Sequence, residues 1–194
     1  MNRKEITKKL SELTELYISP NSDPRIYWAK EVTFDNGTLD QKRVDYMKFV
    51  SKNNSVSGIE GGKFYCYEVK SCIEDFNSKN GHNFIGDYNY YVMEESLYMK
   101  VKERVPFHVG VLVPSANTFS SLEVVKKAKC ITRTRPVSEM LLMMFRSANR
   151  ENIKNRKAVS KIAKLSTIGS EDCEYISGFE SCKEKCLDIL KYGK

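Results

Sequence analysis

The feature that most constrains this chain is a short aromatic segment that runs directly into a predicted helix. The segment KFYCYEVK, residues Lys63–Lys70, is rich in Tyr, Phe and Val, and this composition favours a β-strand. Because strand side chains alternate between two faces, Glu68 and Lys70 share one face near the end of the strand. A carboxylate and an ammonium are costly in a core. The segment therefore predicts a rigid strand end that carries a polar site.

A helix is predicted to follow this strand. Ser71 stands before it and Glu74 comes three residues later, which is the spacing of a capping box. The helix is predicted over residues 72–79, and Asn80-Gly81 supplies a stop signal. We therefore expect the polar strand end to lie at a strand-to-helix junction, where a site is both rigid and open.

A second acidic residue can join this site. The segment RVDYMKFV, residues 43–50, also favours a strand, with Asp45 on the face opposite Val44 and Tyr46. If the two strands pair as a hairpin, Asp45 comes beside Glu68. Two adjacent carboxylates repel each other, and a divalent cation relieves that repulsion while taking both as hard oxygen ligands. Lys70 would then orient a water or stabilise charge on a leaving group.

The order of these segments resembles the PD-(D/E)xK nuclease superfamily, and more closely its MmcB-like DNA-repair branch and related phage-borne proteins. The matching stretches, after Asp45, are YEVKSCIEDF, GHNFIGDYNYYVM, FHVGVLVP and the basic RTRPVSEMLLMMFRSANR. The resemblance covers roughly residues 1–150, and Val44 stands where the family pattern has proline. It implies a restriction-endonuclease-like α/β fold, a mixed central sheet flanked by helices, with a helical C-terminal extension.

The resemblance also implies a function, the Mg2+- or Mn2+-dependent hydrolysis of DNA phosphodiester bonds. Asp45, Glu68 and the Val69 carbonyl would hold the metal, and Lys70 would position or activate water. A nuclease of this kind would act in DNA repair, recombination or phage DNA processing. In the superfamily a glutamate of the first helix sometimes helps to hold the metal, and the predicted first helix offers Glu5, Glu12 and Glu15 without distinguishing them.

His82 is a further candidate for catalysis. It lies in the loop GHNFIGD between the predicted helix and the next strand, close to the expected site. There it could contact the scissile phosphate or move a proton. The alternative is that His82 has a structural role in the loop.

Positive charge is concentrated in one part of the chain. Residues 124–164 hold twelve Lys or Arg against two Glu, whereas the remainder of the chain is slightly acidic and the whole has a net charge of +7. Such a block is typical of a surface that binds the nucleic-acid backbone, although a solvated basic helix is the alternative. The predicted DNA contacts are Lys79, Lys126, Lys127, Arg133, Arg135, Arg146, Arg150, Lys154 and Lys157.

The remaining elements complete an α/β pattern. Helices are predicted at 3–17, 94–103 and 137–160, and strands at 26–34, 88–93 and 107–113, with a strand or turn at 122–132. Met140, Leu141, Met144 and Phe145 form an apolar stripe that we expect in the core. We divide the chain into a nuclease-like domain, residues 1–150, and a basic, cysteine-containing helical extension, residues 151–194, packed on it.

Location and partners follow from composition. No apolar run is long enough to span a bilayer and no export signal is visible, so we expect a cytoplasmic protein with reduced thiols and no membrane partner. A homodimer is left open. Cys173, Cys182 and Cys186 could hold a metal with Cys130, but their spacing favours buried thiols of a small helix.

Two other functions are compatible with the sequence. One is a catalytically silent DNA-binding repair accessory protein on the same scaffold, whose DNA affinity would survive loss of the acidic residues. The other is a small interaction module whose basic surface binds an acidic protein partner.

Overall fold

A six-stranded mixed sheet organises the described part of the chain, and its strands lie side by side in sequence order. The structure is a computed structural model that describes residues 2–19, 23–78, 80–115 and 120–172, the last nine by their backbone alone. The strands are β1 (Ile26–Phe34), β2 (Lys42–Val50), β3 (Lys63–Lys70), β4 (Tyr88–Met93), β5 (Gly110–Pro114) and β6 (Leu122–Lys126). The helices are α1 (Arg3–Ile18), α2 (Val56–Glu60), α3 (Ile73–Asn77), α4 (Glu95–Val101) and α5 (Val137–Asp172), and a 3-10 turn covers Lys102–Arg104.

The sheet contains both antiparallel and parallel strand pairs. Strands β1, β2 and β3 form an antiparallel meander, and β5 and β6 are also antiparallel. Strand β4 runs parallel to both β3 and β5. The parallel step from β3 to β4 needs a crossover connection, and α3 lies in that connection. The predicted hairpin of the two site-bearing strands, the crossover and the α/β class are thus confirmed.

Helices cover both faces of the sheet. On one face Leu10 and Leu13 of α1 belong to a buried cluster with Tyr67 of the central strand β3. On the other face Met140 and Met144 of α5 join a cluster with the buried side chains of β1, β2 and β3. A third cluster lies under α4, over β4 and β5. The sheet therefore has an apolar layer on each side, and this fixes the faces of β3.

The side-chain alternation of β2 is interrupted at Asp45. Val44 packs in the α5-side cluster, whereas Tyr46 packs in the α1-side cluster, so the prediction that both lie on one face opposite Asp45 is wrong. The β1–β2 ladder pairs residues on either side of Glu31 and Asp45 but omits that pair. Glu31 has a φ of 56°, in the left-handed region that non-glycine residues rarely adopt. This irregularity in the β1–β2 pairing thus changes which side chains of the two strands point to each face of the sheet next to Asp45.

Local signals predicted the start and end of α3 incorrectly. The helix begins at Ile73 with Cys72 as its N-cap, and the Ser71 N–H and hydroxyl donate to Asp75, at 3.1 and 3.2 Å, instead of forming a capping box. It ends at Asn77, before the predicted stop at residues 80–81. The backbone after Asn77 is held by a tertiary contact with β3, described below, and that contact overrides the helical preference.

The chain divides into two compact units, residues 1–149 and residues 150–194, and the second is described up to residue 172. The first contains the sheet, where Met140 and Met144 are buried as predicted but Phe145 is 68% exposed. In the second, the described residues are helical up to Asp172, twelve residues further than predicted. Cys173, Cys182 and Cys186 lie outside the described residues. Within the described ranges, no helix is both long and apolar enough to span a membrane.

A buried carboxylate joins three segments of the first unit. Asp87 is 3% exposed and accepts hydrogen bonds from the Phe64 N–H at 2.8 Å, from Lys63 at 3.0 Å and from Arg133 at 3.0 Å. Arg133 also donates to the Gly62 carbonyl at 3.0 Å, and its guanidinium lies 5.2 Å from the centre of the Phe64 ring. Asp87 therefore fixes the start of β3 against the segment that follows β6.

We predict that Asp87→Asn destabilises the fold by about 3 kcal/mol, because it leaves the Arg133 guanidinium without its carboxylate in a mostly buried position. The free energy of unfolding in urea measures this effect. Asp40→Asn, at an exposed position, is the matched control. Equal stability of the two variants would contradict the structural role of Asp87.

Candidate active site

The site lies where β2 and β3 stop pairing. Their ladder ends at the pair Tyr46 and Tyr67, and the next two residues in register are Asp45 and Glu68. At this point the Asp45 side chain, instead of the β2 backbone, makes the hydrogen bond to β3. The Asp45 Oδ2 accepts this bond from the Val69 N–H at 2.9 Å. The structure therefore brings Asp45, Glu68 and Val69 together, as the hairpin prediction requires.

Glu68 is a buried acidic residue whose side chain is not fully hydrogen-bonded within the described residues. It is 1% exposed, its Oε2 has no hydrogen-bond partner among the described residues, and its Oε1 lies 3.5 Å from the Asn83 side-chain amide. Burial raises the pKa of Glu68 well above its ordinary value, and the neighbouring Asp45 raises it further, against the opposing attraction of Lys70. Without a cation, the structure thus favours the protonated form of Glu68.

Asp45 shows the same tendency more weakly. Burial is the main cause that raises the pKa of Asp45, and the hydrogen bond from the Val69 N–H opposes that rise. The carboxylate of Glu31 raises the pKa of Asp45 as well, and Arg43 and Lys70 lower it. Two carboxyl groups that both resist ionisation lie together, which is the condition that a bound cation relieves.

The ammonium of Lys70 is held by the backbone of the crossover. Lys70 is 2% exposed, and its Nζ donates to the carbonyls of Asn80, at 2.7 Å, and Asp75, at 3.2 Å. These two bonds draw the chain after α3 around the ammonium. A lysine has three N–H donors, so one remains for a water or a phosphate oxygen.

Gly81 is the residue that lets this loop approach the charged pair. A Cβ at position 81 would lie 2.7 Å from the Lys70 Nζ and 3.1 Å from the Glu68 Oε2. The backbone there also has a φ of 70°, which favours glycine. The sequence suggested a helix stop at Gly81, whereas its structural role is to cover Glu68 and Lys70.

These groups line an open cleft with a volume of about 640 Å³. Asp45, Val69 and Lys70 form part of its wall, and Arg3 and Arg43 add two exposed guanidinium groups. Sequence analysis missed both arginines. They lie outside the basic block, and no local pattern indicated that the first turn of α1 and the start of β2 meet here.

The acidic groups fit a hard divalent cation. Asp45 and Glu68 supply carboxylate oxygens, one of them buried without a partner, and Mg2+ and Mn2+ prefer such ligands. In the described ranges, no cluster of three or more His, Cys, Asp or Glu side chains has the arrangement of a metal site. The fit therefore rests on two carboxylates and the Val69 carbonyl, the set expected from the sequence.

The first-helix glutamates have other partners. Glu5 forms the N-terminal capping box of α1 with Asn2, Glu12 lies near Lys8, and Glu15 lies near Lys30 and the Tyr46 hydroxyl. None of the three is among the described residues that line the cleft. The acidic group that the sequence did not indicate is Glu31, whose unusual backbone conformation has no sequence signature.

His82 is engaged within the fold. Its Nδ1 is hydrogen-bonded with the Tyr91 hydroxyl, and its Nε2 lies 3.0 Å from the carbonyl oxygens of both Phe76 and Ser78. Because an imidazole next to two carbonyls must donate from Nε2, the Nδ1 accepts from Tyr91. Both ring nitrogens are thus used to shape the crossover, and this geometry supports the structural alternative for His82.

The predicted DNA contacts separate into two groups. Arg133 is bound to Asp87, Arg135 is paired with Asp35 and Glu139, and the Lys126 Nζ donates to the carbonyls of Val105 and Pro106. These three side chains are engaged within the fold, and their role as DNA contacts stays a prediction. The side chains that remain exposed are Lys127, Arg146, Arg150, Lys154 and Lys157. Lys79 lies outside the described residues.

We predict that Glu68 makes the metal-free protein less stable as pH rises. A raised pKa means that the folded state binds more protons than the unfolded state above the ordinary glutamate range, so stability falls as pH rises through the raised pKa. In urea unfolding with EDTA, the parent should lose more stability than Glu68→Gln between about pH 5 and about pH 8. Glu12→Gln should follow the parent, and equal slopes for the parent and Glu68→Gln would contradict this environment.

Comparison with known proteins shows a similar fold in one solved structure and gives no information on function. No protein-family model matches the chain, and no curated protein sequence matches it. A solved structure of a protein of unknown function from Silicibacter pomeroyi is similar, with a TM-score of 0.51 and 16% sequence identity over 90% of this chain and 97% of that one. At this identity the likeness shows that the α/β architecture occurs in another protein, and it carries no function.

Proposed function

We propose that this protein is a Mg2+- or Mn2+-dependent deoxyribonuclease built on a restriction-endonuclease-like core of the PD-(D/E)xK superfamily. One observation carries the proposal. Asp45 and Lys70 line an open cleft, and directly behind them a carboxyl oxygen of Glu68 is buried without a hydrogen-bond partner among the described residues. A buried polar atom without a partner costs free energy unless a ligand satisfies it. The element order around it, a meander followed by a parallel crossover strand, supports the same family.

The roles of the acidic residues follow from their positions. Asp45 and Glu68, with the Val69 carbonyl, would hold the cation at the end of the hairpin. When bound, the cation would lower the pKa of a water and stabilise negative charge on the phosphate. Asp45 is itself oriented by the Val69 N–H, so the two strands define the spacing of the carboxylates.

Lys70 would act on the attacking water or on the phosphate. Its Nζ is fixed by the Asn80 and Asp75 carbonyls, and this leaves one N–H donor in a site that excludes most water. A pre-oriented cation stabilises developing negative charge more effectively than a mobile one. The Gly81 loop keeps Lys70 in place.

DNA is the substrate that the charge distribution supports. The chain has a net charge of +7, and the exposed Lys127 and Arg146 belong to the basic block of the first unit. In the second unit, Arg150, Lys154 and Lys157 are exposed on α5. Such side chains bind the phosphate backbone without reading sequence. The proposed setting is DNA repair, recombination or phage DNA processing in the cytoplasm.

A catalytically silent DNA-binding protein is the second candidate. The observation that favours it is the pair of hydrogen bonds from Lys70 to backbone carbonyls, because a lysine with a purely structural role would make the same bonds. On that account Glu68 stays protonated and the cleft binds DNA without cutting it.

We predict that the parent cleaves DNA in Mg2+ or Mn2+ and not in EDTA. Circular and linear substrates, both single- and double-stranded, should be incubated with each metal, and the products resolved by electrophoresis. Asp45→Asn and Lys70→Met should lower the cleavage rate about a thousandfold or more, the loss expected when a group essential to the chemical step is removed. DNA affinity, measured in parallel, should change little in comparison.

The controls separate catalysis from folding and from binding. Asp40→Asn and Lys52→Met remove the same charges at exposed positions outside the cleft and should cut like the parent. Absence of cleavage, together with equal DNA binding by all five proteins, would replace the nuclease with the silent binding protein. Cleavage that persists in both site variants would reject the proposed site.

A further inference from the structure

A second cavity adjoins the cleft. Its volume is about 280 Å³, and Arg3, Arg43, Asp45, Val69 and Asp75 line both cavities. The side chains that line only the second cavity are Thr7, Ser11, Lys30, Glu31 and Tyr46. Asp45 therefore belongs to a wall that the two cavities share. A polymer bound across Asp45 could occupy both at once.

The lining of the second cavity is rich in hydrogen-bond donors. Arg3, Thr7 and Ser11 are spaced by four residues and so form one stripe along α1. The stripe contributes the Arg3 guanidinium and two hydroxyls, of which the Thr7 hydroxyl donates to the Arg3 carbonyl at 3.0 Å. Lys30 of β1 and Arg43 of β2 add two further cations, and three carboxylates complete the lining. Donors of this kind, with bidentate arginines among them, are the groups that bind phosphate.

The cations are held near the cavity by exposed ion pairs. Arg43 lies 3.0 Å from Glu31, with side chains 58% and 46% exposed, and Arg3 lies 3.7 Å from Asp75, with its side chain 62% exposed. Exposed pairs of this kind contribute little to stability because water screens them. A phosphate can therefore compete for both guanidinium groups, while the carboxylates keep them oriented when no ligand is bound.

The backbone at Glu31 supports a role beyond folding. Glu31 has a φ of 56° where the β1–β2 ladder omits its pair with Asp45, and this conformation is unfavourable for a side chain with a Cβ. Strain of this kind occurs where the surrounding structure requires a particular side-chain position. Here it places the Glu31 carboxylate 3.0 Å from the Arg43 guanidinium, at the wall of the second cavity.

We propose that the second cavity is the subsite for the sugar-phosphate unit next to the scissile phosphate, with Arg3 and Arg43 contacting both phosphates. The inference rests on the proposed function and deepens it, since it assigns the substrate as a polynucleotide chain that crosses Asp45. Lys30 then contacts the neighbouring phosphate, and Glu31 is a positioning residue for Arg43.

DNA affinity under non-cleaving conditions tests this assignment. The probe is a fluorescein-labelled oligothymidylate of about 16 nucleotides, the upper range of a single-stranded site, in Ca2+ instead of Mg2+. Fluorescence anisotropy over a range of salt concentrations gives the Kd and its salt dependence. Arg3→Gln and Arg43→Gln should each weaken binding about tenfold. Each should also reduce the slope of log affinity against log salt by about 0.7.

Matched variants exclude a general charge effect and unfolding. Lys8→Gln removes a cation from the same helix, at a side chain that is 78% exposed and outside both cavities, and it should bind like the parent. Arg43→Lys keeps the charge and should retain the salt slope while losing part of the affinity. Circular dichroism establishes that each variant is folded.

The outcomes distinguish the subsite from the nuclease. If the parent cuts DNA while Arg3→Gln and Arg43→Gln bind and cut like Lys8→Gln, the subsite is wrong and the nuclease stands. If no protein cuts but both arginine variants lose affinity and slope, the nuclease is wrong and the cavity is a DNA-binding site. If the parent does not bind the oligonucleotide, the subsite is wrong, and the cleavage assay decides the nuclease separately.

Discussion

The burial of one carboxylate and one ammonium at the end of β3 is the constraint on which the described site depends. Glu68 and Lys70 are 1% and 2% exposed, and each charge needs a partner there. Lys70 finds its partners in the carbonyls of Asp75 and Asn80, which end α3 early and draw the Gly81 loop over the strand. Glu68 keeps one oxygen without a hydrogen-bond partner in the part of the chain that the structure describes. The shape of the crossover and the unsatisfied oxygen behind the cleft thus both follow from the burial of these two charged residues.

A comparison of two buried acids distinguishes a residue that stabilises the fold from a residue that is available to a ligand. Asp87 is buried as deeply as Glu68, yet it accepts from two cations and a backbone N–H and needs no ligand. Among the described residues, the side-chain contact of Glu68 is a long one with the Asn83 amide, at 3.5 Å. Two buried acids in one sheet therefore differ in whether the fold satisfies them. An unsatisfied buried acid directly behind the wall of an open cleft is a candidate for ligand binding, and this contrast is why we assign the site to Glu68.

Much of the fold could be predicted because strand composition and periodicity are local properties. The bounds of β1, β3 and β4 match the prediction, and the hairpin register follows once Asp45 and Glu68 are paired. What could not be predicted depends on contacts distant in sequence. Arg133 looked like a DNA contact because its partner Asp87 lies 46 residues away, and Arg3 and Glu31 gave no signal because only the folded chain brings them to Asp45.

Calorimetric titration with Mn2+ tests the central claim, that the unpartnered Glu68 carboxylate is one half of a cation site. The parent should bind Mn2+ saturably, and the heat should vary with the ionisation enthalpy of the buffer, because binding displaces a proton from a carboxyl group whose pKa is raised. Glu68→Gln should lose at least about tenfold in affinity and most of the buffer dependence, while Glu12→Gln should match the parent. Equal Mn2+ binding by the parent and Glu68→Gln, or no saturable binding by the parent, would contradict the account.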